Sequence, residues 1–210
     1  MRPSPPRLLL LALLVTAALA GVARPAAGQP VIVALGDSLT AGHGVAPEEA
    51  YPARLQIRLR QEGYAYRVVN AGVSGDTTAG GLRRVDWVLR LGPEIAIVAL
   101  GANDGLRGTS VAAMRGNLEA IVTRLRAAGV RVLLAGMQLP PNYGEPLGRE
   151  FAAVFPDIAR RAGAALMPFL LDGVAADPRL NQGDAIHPNA EGHQVIADRL
   201  WPHLRPLLRR

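Results

Sequence analysis

Three side chains able to run nucleophilic catalysis stand at two distant places in the chain: Ser38 in Gly36-Asp37-Ser38-Leu39-Thr40, and Asp184 and His187 in Asp184-Ala185-Ile186-His187-Pro188. A serine hydroxyl is a weak nucleophile until an adjacent base takes its proton, and an imidazole oriented by a carboxylate is a common base for this. A spacing of three within one loop lets the Asp184 carboxylate reach Nδ1 of His187, which fixes the tautomer that leaves Nε2 free to act. Taken alone, Ser38 reads equally well as the cap of a following helix. The Gly-x-Ser-x-Gly elbow of α/β-hydrolases is not formed, because Thr40 stands where its second glycine belongs.

Two more blocks have the polar, glycine-rich character of a site, Asn70-Ala71-Gly72-Val73-Ser74-Gly75-Asp76-Thr77 and Gly101-Ala102-Asn103-Asp104-Gly105. Asp37, Asp76 and Asp104 flank these motifs and are expected to hold turns or support neighbours by hydrogen bonding. His43, five residues past Ser38, is close enough to edge a pocket but reads first as a surface-loop residue. His193 is expected to pack at the start of the last helix, and His203 to lie on a helix surface. No His-Glu-x-x-His spacing occurs, so neither a metal nor any other cofactor is implied.

The elements that position these residues alternate. Val31 to Leu35, Tyr66 to Asn70, Ile95 to Leu100, Val130 to Ala135 and Ala164 to Met167 are short apolar runs that read as buried parallel strands. Met114, Leu118, Ile121, Val122 and Leu125 have helical spacing behind Ser110 as N-cap, and Ile196, Leu200, Trp201 and Leu204 fall on one helix face. The expected fold is α/β: a three-layer α/β/α sandwich around a central parallel sheet. In such sheets ligands bind beyond the carboxyl ends of the strands, where the blocks that follow the first three strands fall. Met137 to Gly148, with Pro140, Pro141, Gly144 and Pro146, is the longest stretch expected to be irregular.

Together the four blocks resemble the SGNH (GDSL) hydrolase family over essentially the whole chain after residue 28. Ser38, Gly72, Asn103 and His187 match its block residues, with Asp184 as the triad acid. The likeness is greater to the bacterial branch of thioesterase I, lysophospholipase L1 and arylesterases, on Gly101 to Gly108, Leu139-Pro140-Pro141-Asn142-Tyr143-Gly144 and Asp184 to Asn189. The resemblance implies a flavodoxin-like sandwich and a carboxylic ester hydrolase working through an acyl-enzyme on Ser38. It also implies an oxyanion hole made of the Ser38 and Gly72 N–H groups and the Asn103 side chain. Its substrates would be small esters, thioesters or lysophospholipids. Leu106, Leu139, Pro140 and Tyr143 are expected to form an apolar groove for the acyl or aryl group, with a mobile loop from Gly105 to Ser110 closing over it. Two alternatives stay open: a carbohydrate O-deacetylase of the same family, and a non-catalytic lipid- or glycan-binding module.

The 210-residue chain is half hydrophobic, enough for one domain with a full core. Residues 1–28 differ from the rest, with Arg2 and Arg7 ahead of an uncharged Leu- and Ala-rich run from Leu8 to Ala23. This is the outline of a secretory signal, and the run is shorter than the roughly 18 residues of a membrane span. Cleavage is expected after Ala18-Leu19-Ala20 or after Ala26-Ala27-Gly28, the second leaving Gln29 first and residues 29–210 as the catalytic domain. Loss of Arg2, Arg7 and Arg24 would leave 20 cationic against 17 acidic residues, so the formal charge falls from +6 to +3. The remaining arginines are scattered without interleaved aromatics, which argues against nucleic acid as a partner. With no cysteine, neither a disulfide nor a lipid-modified cysteine can form. A periplasmic or secreted monomer without an integral membrane span is expected.

Overall fold

The computed structural model describes residues 28–210, so the expected export signal, residues 1–28, lies outside the described residues apart from Gly28. The strands are β1 (Val31–Gly36), β2 (Arg67–Gly72), β3 (Pro93–Ala99), β4 (Arg131–Ala135) and β5 (Ala165–Met167). The helices are α1 (Ser38–Ala41), α2 (Tyr51–Gln61), α3 (Thr78–Arg90), α4 (Ala102–Leu106), α5 (Val111–Ala127), α6 (Glu145–Ala162) and α7 (Ala190–Leu204). All strand pairs are parallel and the sheet order is β2-β1-β3-β4-β5. Right-handed crossovers put the connection that runs from β1 out to β2 on one face and those that step from β2 through β3 and β4 to β5 on the other. Accordingly α2 packs with α7, while α3 packs with α5 and α5 with α6.

The central strands are buried because helices cover both of their faces: every residue of β1 is inaccessible, and β3 and β4 each have a single half-buried residue. The second strand differs from the expectation of a fully buried run. It is an edge strand shifted toward Gly72, with Arg67 and Asn70 exposed and only Ala71 buried. In α5 the Ser110 hydroxyl accepts the Ala113 N–H at 3.2 Å, and Met114, Leu118, Ile121, Val122 and Leu125 are all buried, as their spacing predicts. Ile196, Leu200, Trp201 and Leu204 of α7 are buried likewise.

The stretch from Met137 to Gly148 is less irregular than expected, since Pro141–Tyr143 form a 3-10 turn and α6 begins at Glu145. Pro146 sits in the first turn of α6, where a missing N–H costs nothing. Pro156, inside the same helix, is on its exposed side, where water can satisfy the carbonyl that proline leaves without a donor.

The chain leaves β1 toward β2 on one side and returns to β3 on the other. The segments that follow β1 and β3 therefore diverge, and a crevice opens between the carboxyl ends of these adjacent strands. Ser38 begins the helix after β1, and Asn103 lies in the helix after β3.

Candidate active site

Asp37 caps α1, its Oδ1 accepting the Leu39 N–H at 3.0 Å, and so makes Ser38 the first residue of a four-residue helix. The half-buried Ser38 hydroxyl lies 3.0 Å from Nε2 of His187, and Nδ1 of His187 lies 2.7 Å from Oδ2 of Asp184. The other Asp184 oxygen, Oδ1, accepts the N–H groups of Ile186 and His187, each at 3.0 Å. These bonds, that of the His187 backbone first, hold the Asp184 carboxyl well below the usual carboxylate range. Ala185 takes a left-handed φ of 59°, uncommon for a residue with a Cβ, and turns the chain so that both following N–H groups meet the carboxylate. An ionised Asp184 accepts from Nδ1–H, which leaves Nε2 to accept the Ser38 O–H.

Beside Ser38, Nδ2 of Asn103 donates to Oδ2 of Asp37 at 3.2 Å and to the carbonyl of Asp76 at 3.0 Å. Asp37 is fully buried, and burial pushes its carboxyl up from 3.8 to about 6 against the pull of the Leu39 N–H and the Asn103 amide. The loop that carries Asp76 is tied down by Arg84 of α3, whose guanidinium donates to Asp76 Oδ2 at 2.6 and 3.0 Å, to the Ala71 carbonyl at 2.9 Å and to the Gly36 carbonyl at 3.3 Å. Asp104 accepts the N–H and the hydroxyl of Thr78 at 2.8 and 2.6 Å, which joins the start of α3 to α4. All three aspartates therefore act through hydrogen bonds on the segments that hold Ser38 and Asn103.

Gly72 is not the free donor expected of it. Its N–H donates to Oδ1 of Asn70 at 2.9 Å, and a Cβ at this position would fall 2.2 Å from the backbone nitrogen of Ala41. Glycine is needed there so that the end of β2 can lie against α1. Gly75 has an N–H without an acceptor among the described residues, as do Ser74 and Thr77, and of these three only Gly75 has the positive φ that turns its N–H beside the Asp76 carbonyl holding Asn103. Gly75 is the third residue of a tight turn closed by the Asp76 N–H to the Val73 carbonyl at 3.0 Å, and its φ of 79° suits a type II turn. The Ser74-Gly75-Asp76 run is a turn signal that the sequence displays.

Residues 34–195 match the model of the GDSL-like Lipase/Acylhydrolase family. The chain belongs to this family. It is 43% identical over 192 residues to the esterase TesA of Pseudomonas aeruginosa, covering 91% of this chain and 95% of that one. It is 36% identical over 184 residues to thioesterase 1/protease 1/lysophospholipase L1 of Escherichia coli, covering 87% of each. Among solved structures, the psychrotrophic esterase EstA from Pseudoalteromonas sp., inhibited by monoethylphosphonate, superposes with a TM-score of 0.80 at 36% identity, covering 84% of this chain and 97% of that one. This GDSL (SGNH) hydrolase is a carboxylic ester hydrolase built on the three-layer sandwich.

In this hydrolase the segments expected to flank an acyl groove touch each other. Residues 102–106 are the helix α4, not a loop, and Gly105 is buried within it. A Cβ on Gly105 would lie 2.2 Å from Cδ2 of Leu139, so this glycine admits a close approach and does not act as a hinge. Leu139 is half-buried against the core, Tyr143 reaches the Leu106 carbonyl at 3.5 Å, the limit of a hydrogen bond, and Leu106 and Pro140 are exposed. His43 is exposed and at the same time next to the site, its ring centred 4.7 Å from that of His187. His193 is buried at the start of α7, where Nδ1 accepts the Tyr51 N–H at 3.3 Å. No group of three His, Cys, Asp or Glu side chains placed to hold a metal occurs among the described residues.

Proposed function

We propose that this hydrolase cleaves carboxylic esters through an acyl-enzyme on Ser38, with His187 as general base and acid and Asp184 as the group that orients it. The observation that carries the reading is the unbroken series of contacts from Ser38 Oγ through both ring nitrogens of His187 to Asp184. The Ser38 O–H donates to Nε2, and Oγ attacks the ester carbonyl as the proton passes to His187. The resulting imidazolium gives that proton to the departing oxygen or sulfur, and water then attacks the acyl-enzyme with His187 again as base. The oxyanion is met by the N–H groups of Ser38 and Gly75 and by the Asn103 amide, which exchanges its longer bond to Asp37 for the substrate oxygen. Gly75 replaces Gly72 in this assignment because the Gly72 N–H is taken by Asn70, while the Gly75 N–H is free and adjoins the Asp76 carbonyl that holds Asn103. The acyl group lies over the contiguous Leu106, Leu139, Pro140 and Tyr143.

The substrate class is a small aryl or alkyl ester, with thioesters and lysophospholipids as further members, in keeping with the names of the relatives. A fluorophosphonate probe should label the wild-type chain and leave Ser38→Ala unlabelled. Labelling that persists in Ser38→Ala overturns the assignment. Parallel kinetics on phenyl acetate, p-nitrophenyl esters of rising length, a long-chain acyl-CoA and a lysophospholipid would rank the substrates. Residues 1–28 act in this reading as a cleaved export signal that delivers a monomer to the periplasm or beyond, and the N-terminus of the exported protein should be Gln29. No helix of the described residues is long and apolar enough to cross a membrane.

A further inference from the structure

An imidazole that protonates a leaving group must have that group within reach of its Nε2, so a side chain packed beside the His187 ring is placed to border the leaving group. His43 is such a residue, and its backbone is held from both sides of the reaction. Its N–H donates to the carbonyl of Ser38 at 3.1 Å, and its own carbonyl accepts Nε2 of Gln182 at 2.7 Å. The same Gln182 nitrogen donates to the Pro188 carbonyl at 2.9 Å, and the Gln182 N–H to the His187 carbonyl at 2.8 Å. Gly44 completes the clamp with a φ of 78°, and a Cβ on it would strike the Gln182 side chain at 2.1 Å.

On this fixed backbone the His43 ring is exposed and makes no hydrogen bond among the described residues. It lies 4.7 Å from the His187 ring at a tilt of 51°. The neighbouring Ile186, on the catalytic loop, is 52% exposed. The face of a planar ring and an aliphatic side chain offer stacking and dispersion to a flat group, while the two ring nitrogens of His43 offer one donor and one acceptor, a contribution that glutamine retains and phenylalanine lacks. We infer that His43 and Ile186 form the leaving-group subsite and that His43 selects esters with planar aromatic leaving groups.

This inference rests on the proposed acyl-enzyme mechanism, and its test separates the two. Two acetates share one acyl group and have leaving groups of similar acidity: 2-naphthyl acetate, planar, and hexafluoroisopropyl acetate, not planar. The ratio of their kcat/KM values reads the subsite, because the acetyl-enzyme formed from each is the same. His43→Ala and His43→Gln should lower that ratio about fivefold, the size of one aromatic contact, and His43→Phe should keep it. Equal losses on both esters, together with slower deacylation, would make His43 a prop for His187 and overturn the subsite. An unchanged ratio in His43→Ala would overturn it as well. Failure of the underlying mechanism shows elsewhere, as ester hydrolysis that survives Ser38→Ala.

Discussion

Asn103 serves two acceptors through one amide nitrogen, and one of them, Asp37, is a buried carboxyl. The arrangement aims the amide before substrate arrives, which is the condition for a donor to lower the barrier without reorganising at the moment of reaction. Asn103→Ala should therefore lower kcat on phenyl acetate by about a hundredfold with little change in KM. Asn103→Asp should be worse, since it sets a second carboxylate beside Asp37 and faces the oxyanion with like charge. A normal kcat in Asn103→Ala would leave the residue a turn-former. Ser38→Ala and His187→Ala should each remove most turnover, and the double variant should be scarcely slower than either, because the two act in one step. Multiplicative losses would separate their roles. Loop spacing alone pairs Asp184 with His187, whereas Ser38 by itself reads equally well as a helix cap and joins them only through the resemblance of the four blocks. The choice between Gly72 and Gly75 was not legible in the sequence, since it turns on whether the Asn70 side chain takes the N–H. Nor was the place of His43, which is set by Gln182, 139 residues further along the chain.

At the scale of elements, α3 acts on the site through one side chain. Arg84 binds the carbonyl ends of β1 and β2 and the Asp76 carboxylate together, and the Asp76 carbonyl in turn holds Asn103. The Asp76 and Arg84 side chains are 11% and 23% exposed, so removing the guanidinium leaves a nearly buried charge without its partner. Arg84→Met should cost about 3 kcal/mol in urea unfolding and lower kcat by roughly tenfold through the loosened loop. Adding Asp76→Asn should restore much of the stability by removing the stranded charge, yet leave kcat low because the loop is still untied. Recovery of both would show that Arg84 only balances charge. The same scale shows what pattern could and could not tell. β1 and β3 are apolar throughout because they are covered on both faces, and their residues announce it. β2 sits at an edge, an outcome of pairing order that its own residues do not encode. Pro140, Pro141 and Pro146 suggested a loop, yet Pro146 stands in the first turn of α6, where a helix tolerates proline.

Across the whole molecule, two buried titrating groups pull stability in opposite directions over the same pH range. Asp37 caps α1, and His193 lies at the start of α7, where its Nδ1 accepts the N–H of Tyr51, whose hydroxyl meets Thr40 of α1 at 2.9 Å. Burial raises the Asp37 carboxyl from 3.8 to about 6. The folded state then binds this proton more tightly than the unfolded chain, and the benefit, whole below 3.8, is lost as pH rises through about 6. Burial and the nearby Arg54 lower His193 from 6.5 to about 4, and its Nε2 has no hydrogen-bond partner that would favour the charged ring. Here the unfolded chain binds the proton more tightly, so stability is whole above 6.5 and is lost as pH falls toward about 4. Each displacement exceeds two pH units and is worth roughly 3 kcal/mol when complete. The slopes therefore oppose each other between about pH 4 and 6.5. Asp157, Asp177 and Asp184, held low by hydrogen-bonded partners, lose their contribution only below 3.8, outside this window. Urea unfolding of the wild-type chain should give a free energy that varies by no more than about 1 kcal/mol across the window. Asp37→Asn should turn the plateau into a rise of roughly 3 kcal/mol with pH, and His193→Gln into a fall of similar size. Variants that merely shift the plateau up or down, with its slope unchanged, would show that neither group titrates differently in the folded state.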